Sequence, residues 1–330
     1  MENTLASQNH SRAEGGLALS MHKTWVVALF FLLAATTQAH AWNSFGHMEI
    51  AAVTWERLTP AAKREATRLI KLNPDYPNWV ANVPDAEKDK IAFELAATWP
   101  DIIKHEQGYH DDGEKPKGEE SGQNLGYSDK LQHRYWHYID MPFSLDNTAL
   151  VEPAAPNAKT QITKFKETLS STAAADDVKS YDLVWLLHLV GDVHQPLHTT
   201  SRFTKGAPKG DAGGNLVSLC KPPKEGCREE LHAFCDDVLG TRNHDPYAAA
   251  RAAAKLPEAD AKLAAVADED NWIEESFEAA KVDVYVAPIG DGEGPYQLDA
   301  EYKAHAKDVA RNRAGLAGAR LAQFLNNVFK

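Results

Sequence analysis

The polar and apolar positions of the chain follow helical rather than strand periodicity. Apolar residues recur at helical spacing over residues 43–58 and again over residues 60–72. Thr59 and Pro60 stand between these two runs, placed as the N-cap and first residue of the second helix. The pattern therefore predicts two consecutive helices in this part of the chain.

Two later runs have the same character. Residues 180–195 are predicted to form a helix that begins at Ser180, a candidate N-cap, and ends at Pro196. Residues 309–328 carry apolar side chains three to seven positions apart, so one face of this segment should lie in the core. No alternating run of useful length for a strand occurs. The sequence therefore predicts a mainly α fold in a single compact domain.

Two long polar stretches interrupt the predicted helices. Residues 106–130 contain few apolar side chains, and residues 199–228 are rich in glycine, lysine and proline. Loops of this length inside a compact domain are usually functional or disordered. Because both lie between candidate metal ligands, we interpret them as long functional loops and not as domain linkers.

The first 41 residues have the pattern of a cleaved secretory leader. Residues 21–23 are short and positive, residues 26–35 are almost wholly apolar, and residues 39–41 read Ala-His-Ala. Cleavage is predicted after residue 41, which makes Trp42 the mature N-terminus, and Met21 is an alternative start. A membrane anchor is the other interpretation. The short apolar region favours export to the periplasm or the medium, without stable membrane association afterwards.

The net charge argues against tight binding of duplex nucleic acid, and the cysteine content argues against a zinc site made of cysteines. The formal net charge is −12, and residues 42–330 keep all of it because the charges of the leader cancel. Tight duplex binding depends on releasing counterions from many phosphates, so an acidic protein is poorly suited to it. Cys220 and Cys227 could form a disulfide in an oxidising compartment, whereas Cys235 is expected to be a buried free thiol. A zinc site built from these three cysteines has unfavourable spacing.

Histidine and aspartate occur one helical turn apart at two places. His188 and Asp192 project from the same face of a predicted helix, and His232 and Asp236 repeat the arrangement. Imidazole and carboxylate together suit zinc. A single pair could be a surface contact, but two pairs, with His198 placed after a proline turn, predict a metal site.

Other polar residues are candidates of unequal strength. Asp101 follows Pro100 where an apolar helix breaks, and His137 lies among aromatic residues. His133, four residues earlier, competes with His137. His194 faces away from Asp192 and is interpreted as a structural or outer-layer residue. The histidines interpreted as solvated are His105, His110, His244 and His305.

Together these residues resemble the zinc-dependent single-strand-specific nucleases of the S1/P1 type, which belong to the phospholipase C/P1 nuclease superfamily. The resemblance covers nearly all of residues 42–330. It rests on W-x-x-x-G-H at Trp42–His47 and on the segments Trp99–Asp101, His137–Asp140, His188–His198, Asp211–Asn215 and Leu231–Asp236. It implies a helical domain of the phospholipase C/P1 nuclease type that holds three zinc ions.

The resemblance also implies a division of the ligands among the three ions. The first zinc would be held by Asp101, His137, His188 and Asp192; the second by His198, His232 and Asp236; the third by the α-amine and carbonyl of Trp42, with His47 and the shared Asp192. Predicted cleavage agrees with the last assignment, since only the cleaved chain has a free amine at Trp42.

The activity implied is endonucleolytic hydrolysis of single-stranded DNA and RNA to 5′-phosphorylated products, with 3′-nucleotidase activity left open. Asp101 is expected to orient or deprotonate the attacking water. Lys104 stands where relatives often carry arginine, so it keeps the positive charge near the phosphate without a bidentate fork. We expect the protein to act as a monomer on nucleic acid and nucleotides.

Four residues are the candidates for substrate binding. Tyr138 matches the stacking position of the family and Asp140 its base-edge acceptor, while Asp211 and Asn215 belong to the shared D-A-G-G-N segment. Stacking on an aromatic face is how single-strand binders hold bases without reading sequence.

Two alternatives remain at this point. A zinc-dependent phospholipase C also has an N-terminal tryptophan ligand, but typically with a longer gap to the next histidine and with glutamate as last ligand. The gap of five from Trp42 to His47, together with Asp236, favours the nuclease. The other alternative is an exported zinc-binding protein without catalysis, whose metal would be closed off from water.

Overall fold

The computed structural model describes residues 42–219, 229–240 and 243–330, which belong to one compact unit and are mostly helical. The helices of the first part are α1 (Ser44–Arg57), α2 (Pro60–Ile70), α3 (Tyr76–Trp79), α4 (Lys88–Ala96), α5 (Trp99–Ile102), α6 (Ala158–Ser170) and α7 (Asp176–Asp192). Those of the second part are α8 (Leu231–Asp237), α9 (Pro246–Ala253), α10 (Ala261–Ala264), α11 (Glu269–Ala279) and α12 (Ala300–Val328). The mainly α prediction is confirmed.

The predicted helix starts are right at α2 and wrong at α7. Thr59 caps α2, its hydroxyl accepting the Ala62 N–H at 3.1 Å, and Pro60 is the first helical residue. Helix α7 begins at Asp176, one turn before the predicted cap. Ser180 instead lies buried inside the helix and donates its hydroxyl to the carbonyl of Leu69 at 2.7 Å. The Ser180 hydroxyl, which the local sequence pattern predicted to cap the helix, is therefore used in a contact with a residue distant in sequence.

Helix α7 is the centre of the main hydrophobic core. All of its residues from 180 to 192 are buried, and α1, α2, α5, α6 and α12 pack around it. A helix that is buried on every side has no polar face. The polar side chains between residues 180 and 192 are therefore enclosed by protein.

A short parallel pair of strands ties two loops of the site together. Strand β1 (Met141–Phe143) pairs with β2 (Thr200–Arg202), with Met141 opposite Thr200. Just before the strands, the Ile139 N–H donates to the carbonyl of His198 at 2.8 Å. The pairing thus holds the segment that follows His137 beside the segment that follows His198.

Of the two predicted loops, residues 106–130 lie within the described part of the chain, whereas residues 220–228 of the other loop do not. Residues 106–130 contain only two short 3₁₀ turns, as expected of a loop. The leader and the predicted Cys220–Cys227 disulfide lie outside the described residues, whereas Cys235 is a buried free thiol as predicted. In the described part of the chain no helix combines the length and apolarity needed to cross a membrane.

Helix α4 carries a buried carboxyl group whose ionisation opposes folding. Both carboxyl oxygens of Glu94 are buried without a hydrogen-bond partner, and burial raises its pKa to about 8. Between the unfolded pKa and pH 8 the folded state holds a proton that the unfolded state releases, so stability falls as pH rises through this window. We expect Glu94→Gln to flatten this loss, measured as the free energy of unfolding in urea from pH 5 to 9.

Glu167→Gln is the matched control, because Glu167 is exposed on α6. It should keep the slope of the parent protein. A Glu94→Gln protein with the same slope as the parent would contradict the assignment to this carboxyl group.

Candidate metal centre

Helix α7 presents two side chains to the same interior point. His188 and Asp192 have no solvent exposure, and His188 Nε2 lies 3.3 Å from Asp192 Oδ2. The other ring nitrogen, Nδ1, donates to the carbonyl of Ala97 at 2.8 Å. Because that bond places the proton on Nδ1, a neutral His188 points the Nε2 lone pair at the carboxylate. A cation between these atoms would satisfy both.

Asp101, His137 and His188 form the first of three buried groups that could hold a metal ion. Asp101 Oδ1 is 3.7 Å from His188 Nε2 and 3.8 Å from His137 Nδ1. Those two nitrogens are 2.9 Å apart, and Asp192 Oδ2 is 3.1 Å from His137 Nδ1. The Nε2 atom of His137 is buried without a hydrogen-bond partner. The structure therefore brings together all four side chains that were predicted for the first zinc.

His198, His232 and Asp236 form the second group. His198 Nδ1 donates to the carbonyl of His137 at 2.8 Å, and His232 Nδ1 donates to the carbonyl of Gly213 at 2.7 Å. The two Nε2 atoms are 3.0 Å apart, with Asp236 oxygens 3.8 and 3.6 Å away. In the neutral rings both Nε2 atoms carry lone pairs, which repel at this distance unless a cation lies between them.

His47 joins His188 and Asp192 in the third group. His47 Nε2 is 3.3 Å from Asp192 Oδ1, and the ring stacks on His188 with centroids 3.8 Å apart. A side chain at Gly191 would place its Cβ 2.9 Å from His47 Nδ1. Glycine at this position therefore lets the imidazole approach α7. Asp192 borders both this group and the first, as expected for a shared ligand.

Trp42 is buried beside the third group. Its indole Nε1 donates to the carbonyl of Gly191 at 3.1 Å, and only 1% of its surface is exposed. A Cβ at Gly46 would lie 2.8 Å from the Trp42 Cβ, so the two residues are in close contact. Gly191 and Gly46 each precede a member of the group, Asp192 and His47. Residue 42 therefore lies where these two chain segments meet.

Burial keeps the imidazoles of these groups neutral, which suits a metal, whereas the buried carboxyl of Asp192 needs a nearby cation to ionise. Burial lowers the pKa of His188 to about 4 and holds the pKa values of His47 and His137 well below their usual range. Burial also raises the pKa of Asp192 well above that of an ordinary carboxyl. Neutral imidazole is the form that binds metal ions. With their unpartnered buried atoms, these residues fit divalent cations, which would offset the cost of burying the carboxylates.

A cavity of about 200 Å³ reaches the first and second groups. Lys104, which is buried, donates from Nζ to Asp101 Oδ1 at 2.7 Å. The lining residues of the cavity are Asn43, Ser44, Asp101, Ile102, His105, Asp236, Asp237 and His244. His105 and His244 are exposed, as predicted, yet they border the same cavity as two candidate ligands. The place of His105 beside this cavity was not predicted. The spacing of one helical turn between Asp101 and His105 could have indicated it.

The four predicted substrate residues have different surroundings. Tyr138 is half-buried and its hydroxyl donates to the carbonyl of Glu114 at 2.5 Å, while burial raises the pKa of Asp140 to about 6. Asp211 is buried and accepts from the Arg202 and Gly214 N–H groups and from the Tyr285 hydroxyl. The Asn215 side chain donates to the carbonyl of Ala212 at 2.7 Å, in an exposed position. Asp211 thus stabilises the turn that carries Asn215.

The structure separates the competing histidines. His133 stacks on Trp136, with Nε2 2.9 Å from Asp129 and Nδ1 3.2 Å from Asp112, and these carboxylates raise its pKa against the effect of burial. It therefore belongs to an ion pair outside the three groups. His194 donates from Nδ1 to a backbone carbonyl and accepts from Arg320 at 3.0 Å, which agrees with the predicted structural role.

Comparisons with known proteins complete the description of the site. No curated protein matches the chain significantly. Among solved structures, the alpha-toxin of Clostridium perfringens matches with 12% identity and a TM-score of 0.37. The match covers 88% of this chain and 65% of the toxin chain, less than two thirds of its length. The S1/P1 Nuclease family matches residues 42–330, which include every residue of the three groups. The chain therefore belongs to the S1/P1 nuclease family.

Proposed function

We propose that this protein is an exported, zinc-dependent endonuclease that hydrolyses single-stranded DNA and RNA to 5′-phosphorylated products. Three buried His/Asp groups, two of which border Asp192, in a chain of the S1/P1 nuclease family, are the observation that carries the proposal. Imidazole and carboxylate donors without a thiolate suit zinc. The protein would work as a monomer in the periplasm or the medium after the leader is removed.

Three zinc ions would share the ligands along the lines of the groups. The ligands would be Asp101, His137, His188 and Asp192 for the first ion; His198, His232 and Asp236 for the second; and the amine and carbonyl of Trp42, with His47 and Asp192, for the third. When bound, such ions lower the pKa of water and stabilise charge on the phosphate and the leaving oxygen.

Two residues of the first group would act on the reacting atoms. Asp101 lines the cavity, so its carboxylate would orient the attacking water and accept its proton. Lys104 lies 2.7 Å from that carboxylate and would place a positive charge beside the phosphate. A lysine ammonium binds as a point charge, so this contact would constrain the phosphate less than an arginine fork.

Substrate binding would depend on a short stretch of single strand. The half-buried ring of Tyr138 would stack on a base, and Asp140 would accept a hydrogen bond from the base edge. Asp211 would contribute by holding the turn that carries Asn215. With a net charge of −12, attraction to phosphates would come from the bound cations, which favours a local grip over binding along a duplex.

The decisive experiment compares protein that begins at Trp42 with protein that carries one extra residue before it. The first should degrade denatured DNA and lose this activity in chelator. The second should lose at least ~10-fold in rate, because an amide nitrogen cannot replace the amine as ligand. Substitution of a group that only orients a metal ligand already costs about this much. Rates are measured as release of acid-soluble nucleotides, and each N-terminus is verified by intact mass.

Native duplex DNA and phosphatidylcholine vesicles serve as control substrates. Equal activity of the two proteins on denatured DNA would exclude the terminal amine as ligand. Hydrolysis of phosphatidylcholine without action on denatured DNA would make the protein a phospholipase C. Protein that binds zinc but cleaves neither substrate would be a zinc-binding protein without catalysis.

A further inference from the structure

Asn43, the residue after Trp42, makes six hydrogen bonds and is 4% exposed. Its side-chain oxygen accepts from the N–H groups of Phe45 and Gly46 at 3.0 and 3.1 Å, which caps helix α1. Its side-chain Nδ2 donates to Asp237 Oδ1 at 2.9 Å and to the carbonyl of Gly240 at 2.8 Å. The other two bonds are made by its backbone: the N–H donates to the carbonyl of Asp236 at 3.2 Å, and the carbonyl accepts from the His47 N–H at 3.2 Å.

Capping alone does not explain this set of contacts. An N-cap needs only a side-chain oxygen, and serine or aspartate supplies one as well as asparagine does. The two bonds from Nδ2 go instead to the end of α8 and the turn after it, 194 and 197 residues away in sequence. Asn43 therefore links the start of the helix that carries His47 to the helix that carries Asp236.

The backbone bond has a consequence for Trp42. The carbonyl of Trp42 and the N–H of Asn43 belong to one planar peptide group, in which they point in opposite directions. The bond from that N–H to the Asp236 carbonyl therefore fixes the direction of the Trp42 carbonyl. The bonds from Nδ2 to Asp237 and Gly240 hold the same peptide group against α8.

We propose that Asn43 is a positioning residue for the third metal ion, and that it orients the Trp42 backbone by tethering it to α8. This inference rests on the proposed role of the Trp42 amine and carbonyl as ligands. It also places residue 42 in register with the second group, because Asp236 supplies both a side chain to that group and the carbonyl that holds the peptide.

Asn43→Ser is the informative variant, because serine keeps the cap on α1 but cannot reach α8. The full chain is exported with its leader, its N-terminus is verified by intact mass, and bound zinc is titrated against a competing chelator. We expect the affinity for one of three zinc ions to fall about 10–100-fold, as for other changes in groups that orient ligands, while the other two are unchanged. The melting temperature of the metal-free protein should change little.

A paired exchange tests the tether itself. Asn43→Asp places a carboxylate against Asp237 and should weaken the same zinc ion, whereas adding Asp237→Asn restores a donor and an acceptor and should recover part of the affinity. Asn43→Ser protein that binds all three ions like the parent would overturn the inference. So would a variant that weakens all three equally, since that would show a general loss of structure.

A glycine inserted between Ala41 and Trp42 separates this inference from the proposed function. If the protein with the inserted glycine keeps three zinc ions at parental affinity, the Trp42 backbone is not a ligand. In that case both the proposed ligand role of Trp42 and the positioning role of Asn43 fail. If the insertion removes one ion but Asn43→Ser removes none, only the positioning role of Asn43 fails.

Discussion

Asp192→Asn should abolish nuclease activity and remove zinc from the first and third groups. One carboxylate oxygen of Asp192 is 3.3 Å from His47 Nε2, and the other is 3.1 Å from His137 Nδ1 and 3.3 Å from His188 Nε2. Asparagine keeps the shape but loses the charge and one acceptor. Substitution of a group that only orients a metal ligand already costs about 10–100-fold in metal affinity or activity. Loss of a ligand should therefore lower kcat/KM by at least ~100-fold. The checks are the rate on denatured DNA and the zinc bound per chain.

Asp182→Asn is the matched control for this experiment. Asp182 is a buried carboxyl on the same helix, but it lies outside the three groups and accepts from the Asn124 side chain at 2.7 Å. It should keep the zinc content and the activity of the parent. Full activity in the Asp192→Asn protein would remove Asp192 from the reaction.

Gly213→Ala should destabilise the protein and disturb the second group together. Gly213 has φ of +61°, and an added Cβ would lie 2.4 Å from the carbonyl oxygen of Leu197 and 3.3 Å from His232 Nδ1. The strained backbone and the clash should each cost about 1–3 kcal/mol, or about 2–6 kcal/mol in total. The carbonyl that orients His232 would shift with the turn. Urea unfolding of the metal-free protein and zinc titration measure the two effects.

Gly108→Ala separates strain from contact. Gly108 also has a positive φ, of +100°, but nothing lies within 4 Å of an added Cβ. It should lose about 1 kcal/mol from strain alone and bind zinc like the parent. Equal losses in the two variants would show that the contact with Leu197 is unimportant.

The two candidate metal-binding pairs were predictable because their geometry is local. His188 and Asp192, like His232 and Asp236, are four residues apart on a helix, and this spacing alone places both side chains on one face. Their donor atoms are 3.3 and 3.6 Å apart in the structure. The capping of α2 by Thr59 was predictable for the same reason, since donor and acceptor lie three residues apart.

The choice between His133 and His137 was not local. Both histidines lie in the same aromatic segment, and spacing does not distinguish them. Two carboxylates of the 106–130 loop, Asp112 and Asp129, hold His133, whereas His137 faces residues of α5 and α7. Ser180 failed as a cap for the same kind of reason, because its partner Leu69 belongs to another helix.

Around Trp42 and Asp192, some features follow from the sequence and others follow only from contacts in the folded protein. The sequence was enough to predict the helical class, the two His/Asp pairs and, through the family motifs, the set of candidate residues. Contacts within the folded chain were needed to show that residues 180–192 of α7 are buried, that Gly191 admits His47, and that Asn43 joins Trp42 to α8. These facts depend on contacts between segments as far as 194 residues apart, whose energies appear in no local pattern.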